Sequence, residues 1–263
     1  FLYYICIINK RYTKIKIMAE FKIPTETVTL PSKGAFYSKD NPLSNGTVEV
    51  KYMTAKEEDI LTNQSYIENG TVIDKLLESV VVTKFNWDEL LIGDKNAIMI
   101  AARILGYGKE YTFTYGKDKE TVDLSLVEDK KLDKKVLEAT KNEFSFTLPY
   151  TGNTLTYKLL THGDEKRIQN ELKGLKRINK TASPEGTTRL KYLITSVEGK
   201  TEKKDIREFV DKYLLARDAR ALREEILKTT PDLDLTFFPR GRDKTSNIPV
   251  GIEFFWPDVD LSS

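Results

Sequence analysis

The sequence predicts an α+β fold in which helical blocks are segregated from short antiparallel β-hairpins. Two stretches, 111–126 and 143–159, alternate in hydrophobicity on either side of a turn that contains Gly116 or Gly152, as β-hairpins do. Elsewhere, apolar residues recur at the three- and four-residue spacing of amphipathic helices. Separate runs of strands and of helices are typical of α+β proteins.

The first half of the chain predicts one strand and three helices behind an extended arm. Thr54 and Glu57 have the spacing of a capping box, in which the hydroxyl accepts from an early helix amide and the carboxylate reaches back to the cap. In order, the predicted elements are an extended arm over 21–30, a strand over 46–53, a helix from Thr54 to about Asn63, a helix carrying Val72 to Val80, and a helix from about Asp94 to Gly106.

The second half predicts the two hairpins, more helices and terminal strands. After the hairpins we expect a helix through Ile168 and Ile178, a polar connector over 179–186, a helix over 190–197, a long helix from Asp205 to Lys228, and strands over 233–238 and 248–256. This change of texture suggests two parts, 18–110 and 111–263, unless 18–263 is one continuous domain.

Residues 1–17 differ from the rest of the chain. They read FLYYICIINKRYTKIKI, and their positive charges follow the apolar stretch, which is the reverse of a signal peptide. The bias toward Phe, Tyr, Ile, Asn and Lys is typical of A/T-rich DNA. We therefore expect them to be upstream sequence, translated ahead of a start codon at Met18.

Charge and cysteine content restrict the possible functions. The formal net charge is +2, from 42 basic and 40 acidic residues. Four of the basic residues precede Met18, so 38 basic residues face 40 acidic ones in the remainder, a charge of −2. A nucleic-acid partner is not expected at that balance. The one cysteine, Cys6, also precedes Met18, which leaves no thiol for a disulfide or a zinc site. No apolar run approaches the ~20 residues of a membrane span.

The sequence offers few candidates for catalysis. The one histidine, His162, lies where a helix begins and where Thr161 or Asp164 can cap that helix, so we expect it to be an exposed loop residue. Asp88 and Asp94 lie near helix starts, where acids stabilise free amides without a catalytic role. No catalytic residue, metal site or cofactor is therefore predicted.

Instead, the two ends of the chain predict partner docking. A turn-rich segment with aromatic residues after Gly34 suits docking on a neighbour. Near the C-terminus, three consecutive aromatic rings cannot all face one side of a strand, so at least one would face outward or into a partner. Burial in the protein's own core is the equally weighted alternative for these rings. The predicted docking residues are Leu30, Pro31, Phe36, Tyr37, Phe254, Phe255 and Trp256.

Several segments resemble the T-even-like bacteriophage baseplate hub family of contractile-tailed phages. They are Leu30 to Gly34 with Tyr37, Met53 to Leu61, Gly70 with Ile73 and Leu76–Leu77, Leu90 to Asp94, Arg103 to Tyr111, Phe146 to Pro149, Thr161 to Glu165 and Ile248 to Asp258. Such relatives often carry a cysteine-pair metal knuckle after the position of Tyr111. Here Tyr115-Gly-Lys-Asp118 stands in its place, so metal binding is not carried over.

The resemblance implies a non-enzymatic structural or assembly role in a tail baseplate hub, with other baseplate proteins as partners. It places the protein in the host cytoplasm during assembly, or in the baseplate of the virion. Two alternatives remain open. One is a tail-associated hydrolase that uses carboxylates such as Asp88, Asp94 and Glu110. The other is a nucleic-acid-binding module, which the charge balance disfavours.

Overall fold

The computed structural model describes residues 22–139, 141–178 and 184–255, and it confirms the α+β class. Its α-helices are α1 (Ala55–Leu61), α2 (Gln64–Asn69), α3 (Val72–Val80), α4 (Ile92–Tyr107), α5 (Lys134–Leu137), α6 (His162–Ile178), α7 (Glu185–Leu193), α8 (Lys203–Lys212) and α9 (Ala216–Thr229). Its strands are β1 (Thr25–Thr29), β2 (Thr47–Lys51), β3 (Glu110–Tyr115), β4 (Asp118–Asp123), β5 (Phe144–Thr147), β6 (Thr154–Tyr157), β7 (Ile194–Val197), β8 (Thr236–Phe237) and β9 (Ser246–Asn247). The predicted 1–17 leader lies outside the described residues, as does most of the predicted connector.

The strands form small antiparallel sheets. Both predicted hairpins are confirmed as β3–β4, where Phe113 pairs with Glu120, and β5–β6, where Phe146 pairs with Leu155. The predicted extended arm is a strand, β1, which pairs with β2, and β8 pairs with β9. β7 adds to the free edge of β6.

Glu57 starts α1 in the way the capping box predicts. Its carboxylate accepts from the Thr54 amide at 2.8 Å and from the Thr54 hydroxyl at 2.6 Å. Lys51 and Ser79 also donate to it. Burial raises the pKa of Glu57, but these hydrogen bonds outweigh it and lower the pKa to about 2. The capping residue therefore also ties α1 to β2 and α3.

Buried apolar side chains form two cores. The first lies among the β1–β2 sheet, α1, α3, α4 and the β3–β4 hairpin, and it also takes in side chains of the last twenty described residues. The second lies between the β5–β6–β7 sheet and α7, α8 and α9. The first core thus uses residues from both sides of the predicted division at 110/111.

The long helix predicted over 205–228 is wrong, since the structure has two helices there. The amides of Tyr213 and Leu214 both donate to the Phe209 carbonyl and end α8, and Leu215 is extended with ψ 146°. A straight 24-residue helix would run roughly 36 Å, too far for both ends to contact one small core. The break lets α8 and α9 pack on the same core.

Two other predicted elements are wrong in part. The helix predicted over 190–197 ends at Leu193, and 194–197 continues as β7, where Ile194 and Val197 suit a buried strand. Among the described residues of the tail, up to Phe255, the strands are β8 and β9. The region of the predicted strand over 248–256 instead contains a 3₁₀-helix at Ile252–Phe255.

Candidate functional site

The predicted docking segment at the front of the chain is buried in its own core. Leu30, Pro31, Phe36 and Tyr37 are all buried, so the expectation that they form a free docking surface is wrong. Gly34 shows why the segment folds inward: its φ is +81°, and a Cβ there would lie 2.3 Å from the Ser44 carbonyl oxygen. The tight turn packs Gly34 against the backbone of Ser44 and Gly46.

Asp94 holds this segment in place from the first turn of α4. Its carboxylate is fully buried and accepts three hydrogen bonds: from the Ser32 amide at 3.0 Å, the Ser32 hydroxyl at 2.7 Å and the Tyr37 hydroxyl at 2.6 Å. The Leu91 amide in turn donates to the Tyr37 oxygen at 3.0 Å. Burial raises the pKa of Asp94, and burial together with the Asp94 charge raises that of Tyr37.

Two of the three predicted C-terminal docking residues, Phe254 and Phe255, are also core. Phe254 and Phe255 are fully buried, with ring centroids 5.4 Å apart, and Tyr111 meets the Phe254 ring edge-on at 4.8 Å. The docking role predicted for Phe254 and Phe255 is therefore wrong. Neighbouring side chains point about 120° apart on a 3₁₀-helix instead of to opposite faces, so both rings reach the interior. Trp256 lies outside the described residues.

Arg103, near the end of α4, is a key residue that was not predicted from the sequence. Its guanidinium donates to three carbonyls, those of Phe254 at 2.9 Å, Gly108 at 3.1 Å and Glu110 at 3.3 Å. It also lies 5.8 Å from the Tyr111 ring centre. Burial lowers the pKa of Arg103. A buried arginine that binds backbone instead of an acid has no sequence signal beyond its place on the apolar side of α4.

The carboxylates of the hydrolase alternative do not converge. Asp94 lies in the first turn of α4 and Glu110 follows its C-terminus, which puts them roughly 20 Å apart by helix rise alone. The Asp94 oxygens are already occupied, whereas Asp88 is exposed and lies 3.6 Å from Lys166. Asp94 and Glu110 are therefore too far apart to act together as a paired acid and base.

His162 is buried, and the expectation of an exposed loop residue is wrong. It is 2% exposed and begins α6, and its amide donates to the Leu90 carbonyl at 2.7 Å. Its Nδ1 lies 3.3 Å from Lys95 Nζ, and its Nε2 lies 3.4 Å from Asp74 Oδ2 without the alignment of a hydrogen bond. Lys95 and Asp74 pair directly at 2.6 Å. The capping predicted at this helix start is confirmed, because Asp164 accepts from the Thr161 amide at 3.2 Å.

We expect the protein to lose stability as the pH falls, because His162 is buried in its neutral form. Burial and then Lys95 lower its pKa, aided by Lys166, while Asp74 and Asp88 oppose the shift. Below the ordinary pKa of ~6.5, the unfolded chain takes up a proton that the folded chain does not. Folding free energy is therefore lost as the pH falls through that value, by at most ~1.4 kcal/mol per pH unit.

Urea unfolding at pH 7.5 and 5.5 tests this, with His162→Gln as the non-titrating control. The expected result is a smaller loss of stability for the variant than for the wild type over the same interval. Equal losses would show that His162 does not contribute to the pH dependence.

Three large, exposed side chains lie at the junction of α8 and α9 and in the β5–β6 turn that contacts α9. Tyr150, Tyr213 and Leu215, here called the aromatic corner, are 60%, 60% and 51% exposed. Asp218 joins the β5–β6 turn to α9 by accepting from the Tyr150 amide at 2.9 Å, and the Arg217 guanidinium lies 5.3 Å from the centre of the Tyr150 ring. Tyr213 shares a cleft with Asn153 of the same turn. This surface was not predicted, because an unbroken helix was expected through Tyr213 and Leu215.

The turn between β3 and β4, from Tyr115 to Asp118, is held by aromatic packing. Tyr115 lies under the Arg242 guanidinium at 4.7 Å, and its ring contacts Phe237 edge-on at 5.6 Å. The turn itself, Tyr115 to Asp118, contains no Cys or His. Throughout the described ranges, no group of three or more His, Cys, Asp or Glu side chains could hold a metal ion.

Comparisons with known proteins add no relative: no family model, no curated protein and no solved structure matches this chain. Within the part of the chain that the structure describes, no helix is both long and apolar enough to cross a bilayer.

Proposed function

We propose that this chain is a non-enzymatic structural or assembly component of a contractile-tail baseplate hub, and that it acts by docking to other baseplate proteins. The proposal rests on the ordered resemblance of segments from Leu30 to Asp258 to that family. It places the protein in the host cytoplasm during assembly or in the finished baseplate.

Two of the segments that carry the resemblance, Leu30 to Gly34 and Leu90 to Asp94, contain residues on which the fold depends. Gly34, in the first of them, lies in a tight turn held through Asp94. In the second, Gly93 packs so closely that a Cβ there would lie 1.8 Å from the Pro231 carbonyl oxygen. Both segments also contribute buried leucines to the first core, Leu30 from one and Leu90 and Leu91 from the other.

The aromatic corner is the observation that carries the docking proposal. Large apolar side chains that stay exposed together on a folded surface often mark a protein interface. Tyrosine is enriched among the side chains that dominate binding energy, because it combines a large contact area with a hydroxyl that can bond across the interface. Tyr150 lies in the β5–β6 turn, and Tyr213 lies just before α9. Asp218 of α9 accepts a hydrogen bond from the Tyr150 amide and so fixes that turn against α9.

The test replaces Tyr150, Tyr213 and Leu215 together with serine. We expect binding to baseplate proteins encoded beside this gene to weaken at least tenfold in titration calorimetry, because exposed anchors of this kind carry ~2 kcal/mol or more each. The melting temperature should change little, since all three side chains are more than half exposed.

Leu126→Ser is the matched control, because Leu126 is 76% exposed but lies after β4, outside the aromatic corner. It should leave both binding and melting temperature unchanged. Retained binding in the triple variant would remove the aromatic corner as the docking surface.

A further inference from the structure

A cavity of about 540 Å³ lies between the start of α6, the end of α7, β7 and the start of α8. Cationic side chains from four separate parts of the fold converge on it: Lys158 after β6, Arg167 on α6, Lys191 on α7, and Lys203 and Arg207 on α8. We call it the basic cavity. Its size is that of a small-molecule site.

One acidic residue, Asp164, lines the basic cavity, and its charge is already used. Its two oxygens accept from Lys158 Nζ at 2.9 and 2.7 Å, and Arg167 donates to it at 2.8 Å. Burial raises the pKa of Asp164, but the hydrogen bonds from Lys158 and Arg167 outweigh it and lower the pKa overall. Asp164 therefore stays ionised and orients two of the cations.

The other cations are held from outside the cavity or are unpaired. Glu171 accepts both Arg207 nitrogens at 2.7 and 2.6 Å, and Asp211 pairs with Lys191 at 2.7 Å. Within the described ranges, Lys203 has no ion pair or hydrogen bond through its ammonium group. Five cations against three carboxylates leave an excess of two positive charges at the basic cavity.

We propose that the basic cavity binds a small organic ligand that carries a phosphoryl group. A phosphomonoester carries about −1.5 to −2 charges at neutral pH on three terminal oxygens, which matches the excess charge and the several directions of the donors. A single carboxylate has half that charge and two oxygens. Ile194 and Ile206 form an apolar part of the wall that suits the organic body of such a ligand.

The phosphoryl group could also belong to a nucleic acid, but the geometry favours a small ligand. Nucleic-acid binding proteins place cations along a surface so that successive phosphates are neutralised. Here the cations surround one cavity, and many exposed cations elsewhere on α8 and α9 are paired with acids, as Lys212 is with Glu208 and Arg220 with Glu224.

Titration calorimetry at 50 mM salt tests the proposal, with inorganic phosphate, a nucleoside 5′-monophosphate, the unphosphorylated nucleoside, succinate and a single-stranded oligonucleotide as probes. The expected result is saturable one-to-one binding of phosphate and the monophosphate, with no binding of the nucleoside. Lys203→Gln should weaken the monophosphate about tenfold, the loss of one charge-assisted contact.

Lys204→Gln is the matched control, because Lys204 is the exposed neighbour that does not line the cavity. It should change affinity less than twofold, and both variants should keep the wild-type melting temperature because neither ammonium is buried. No saturable phosphate binding, or equal affinity in wild type and Lys203→Gln, would overturn the proposal. Succinate binding as tight as phosphate would overturn the phosphoryl assignment. An oligonucleotide bound a hundredfold more tightly than the monophosphate would overturn the small-ligand assignment. None of these outcomes depends on the baseplate proposal.

Discussion

Asp94→Ala is expected to destabilise the fold by roughly 3 kcal/mol or more. The substitution leaves the Ser32 amide, the Ser32 hydroxyl and the Tyr37 hydroxyl buried without their acceptor, and each unsatisfied buried donor costs about 1–3 kcal/mol. The loss of stability is large because Asp94 links the segment 30–37 to α4 through all three of these hydrogen bonds.

Urea unfolding measures this loss, with Asp59→Ala as the control. Asp59 is an exposed aspartate on α1, and its substitution should change stability by no more than ~0.5 kcal/mol. Asp94→Asn keeps one acceptor oxygen, so its loss of stability should lie between those of Asp94→Ala and Asp59→Ala. If Asp94→Ala were as stable as Asp59→Ala, the network would not hold the segment.

Phe255→Ala is expected to cost about 3–5 kcal/mol of folding free energy, the range for removing a fully buried phenylalanine. The Phe254 ring packs edge-on against it, with the two ring centroids 5.4 Å apart. Folding free energy is lost because the substitution leaves a cavity in the first core.

Phe238→Ala supplies the comparison, because Phe238 is 74% exposed in the same part of the chain. Its stability should stay within ~0.5 kcal/mol of the wild type. A Phe255→Ala protein that keeps wild-type stability but fails to bind baseplate proteins would restore the docking role that burial argues against.

The sequence was sufficient for elements specified by local pattern. Alternation around Gly116 and Gly152 predicted both hairpins, and the Thr54–Glu57 spacing predicted how α1 begins. These signals lie within a few residues of one another, so they do not depend on the rest of the fold.

Features that depend on distant contacts were missed. The break at Tyr213 has no Gly or Pro to mark it, and it arises because α8 and α9 both pack on the second core. β7 is recognisable only through its pairing with β6. His162 is buried because Leu90, Asp74 and Lys95, far away in sequence, close over it.

The candidate site was harder to predict than the fold. An aromatic, turn-rich segment such as 30–37 looks the same in sequence whether it packs on a partner or on its own chain. The deciding contact, Asp94 with Ser32 and Tyr37, spans about sixty residues. The cations of the basic cavity are likewise spread over 158–207, and their convergence follows from the packing of α6, α7 and α8.

Docking through the aromatic corner is tested most directly by cross-linking this chain to co-purified baseplate proteins with a lysine-reactive reagent, followed by mass spectrometry. Lys212 is 64% exposed beside Tyr213, and Lys84 is exposed far from it in sequence, between α3 and α4. We expect Lys212 to carry cross-links to an identified baseplate protein and Lys84 to carry none. Cross-links to that protein at Lys84 but not at Lys212, or no baseplate protein retained at all, would contradict docking at this surface.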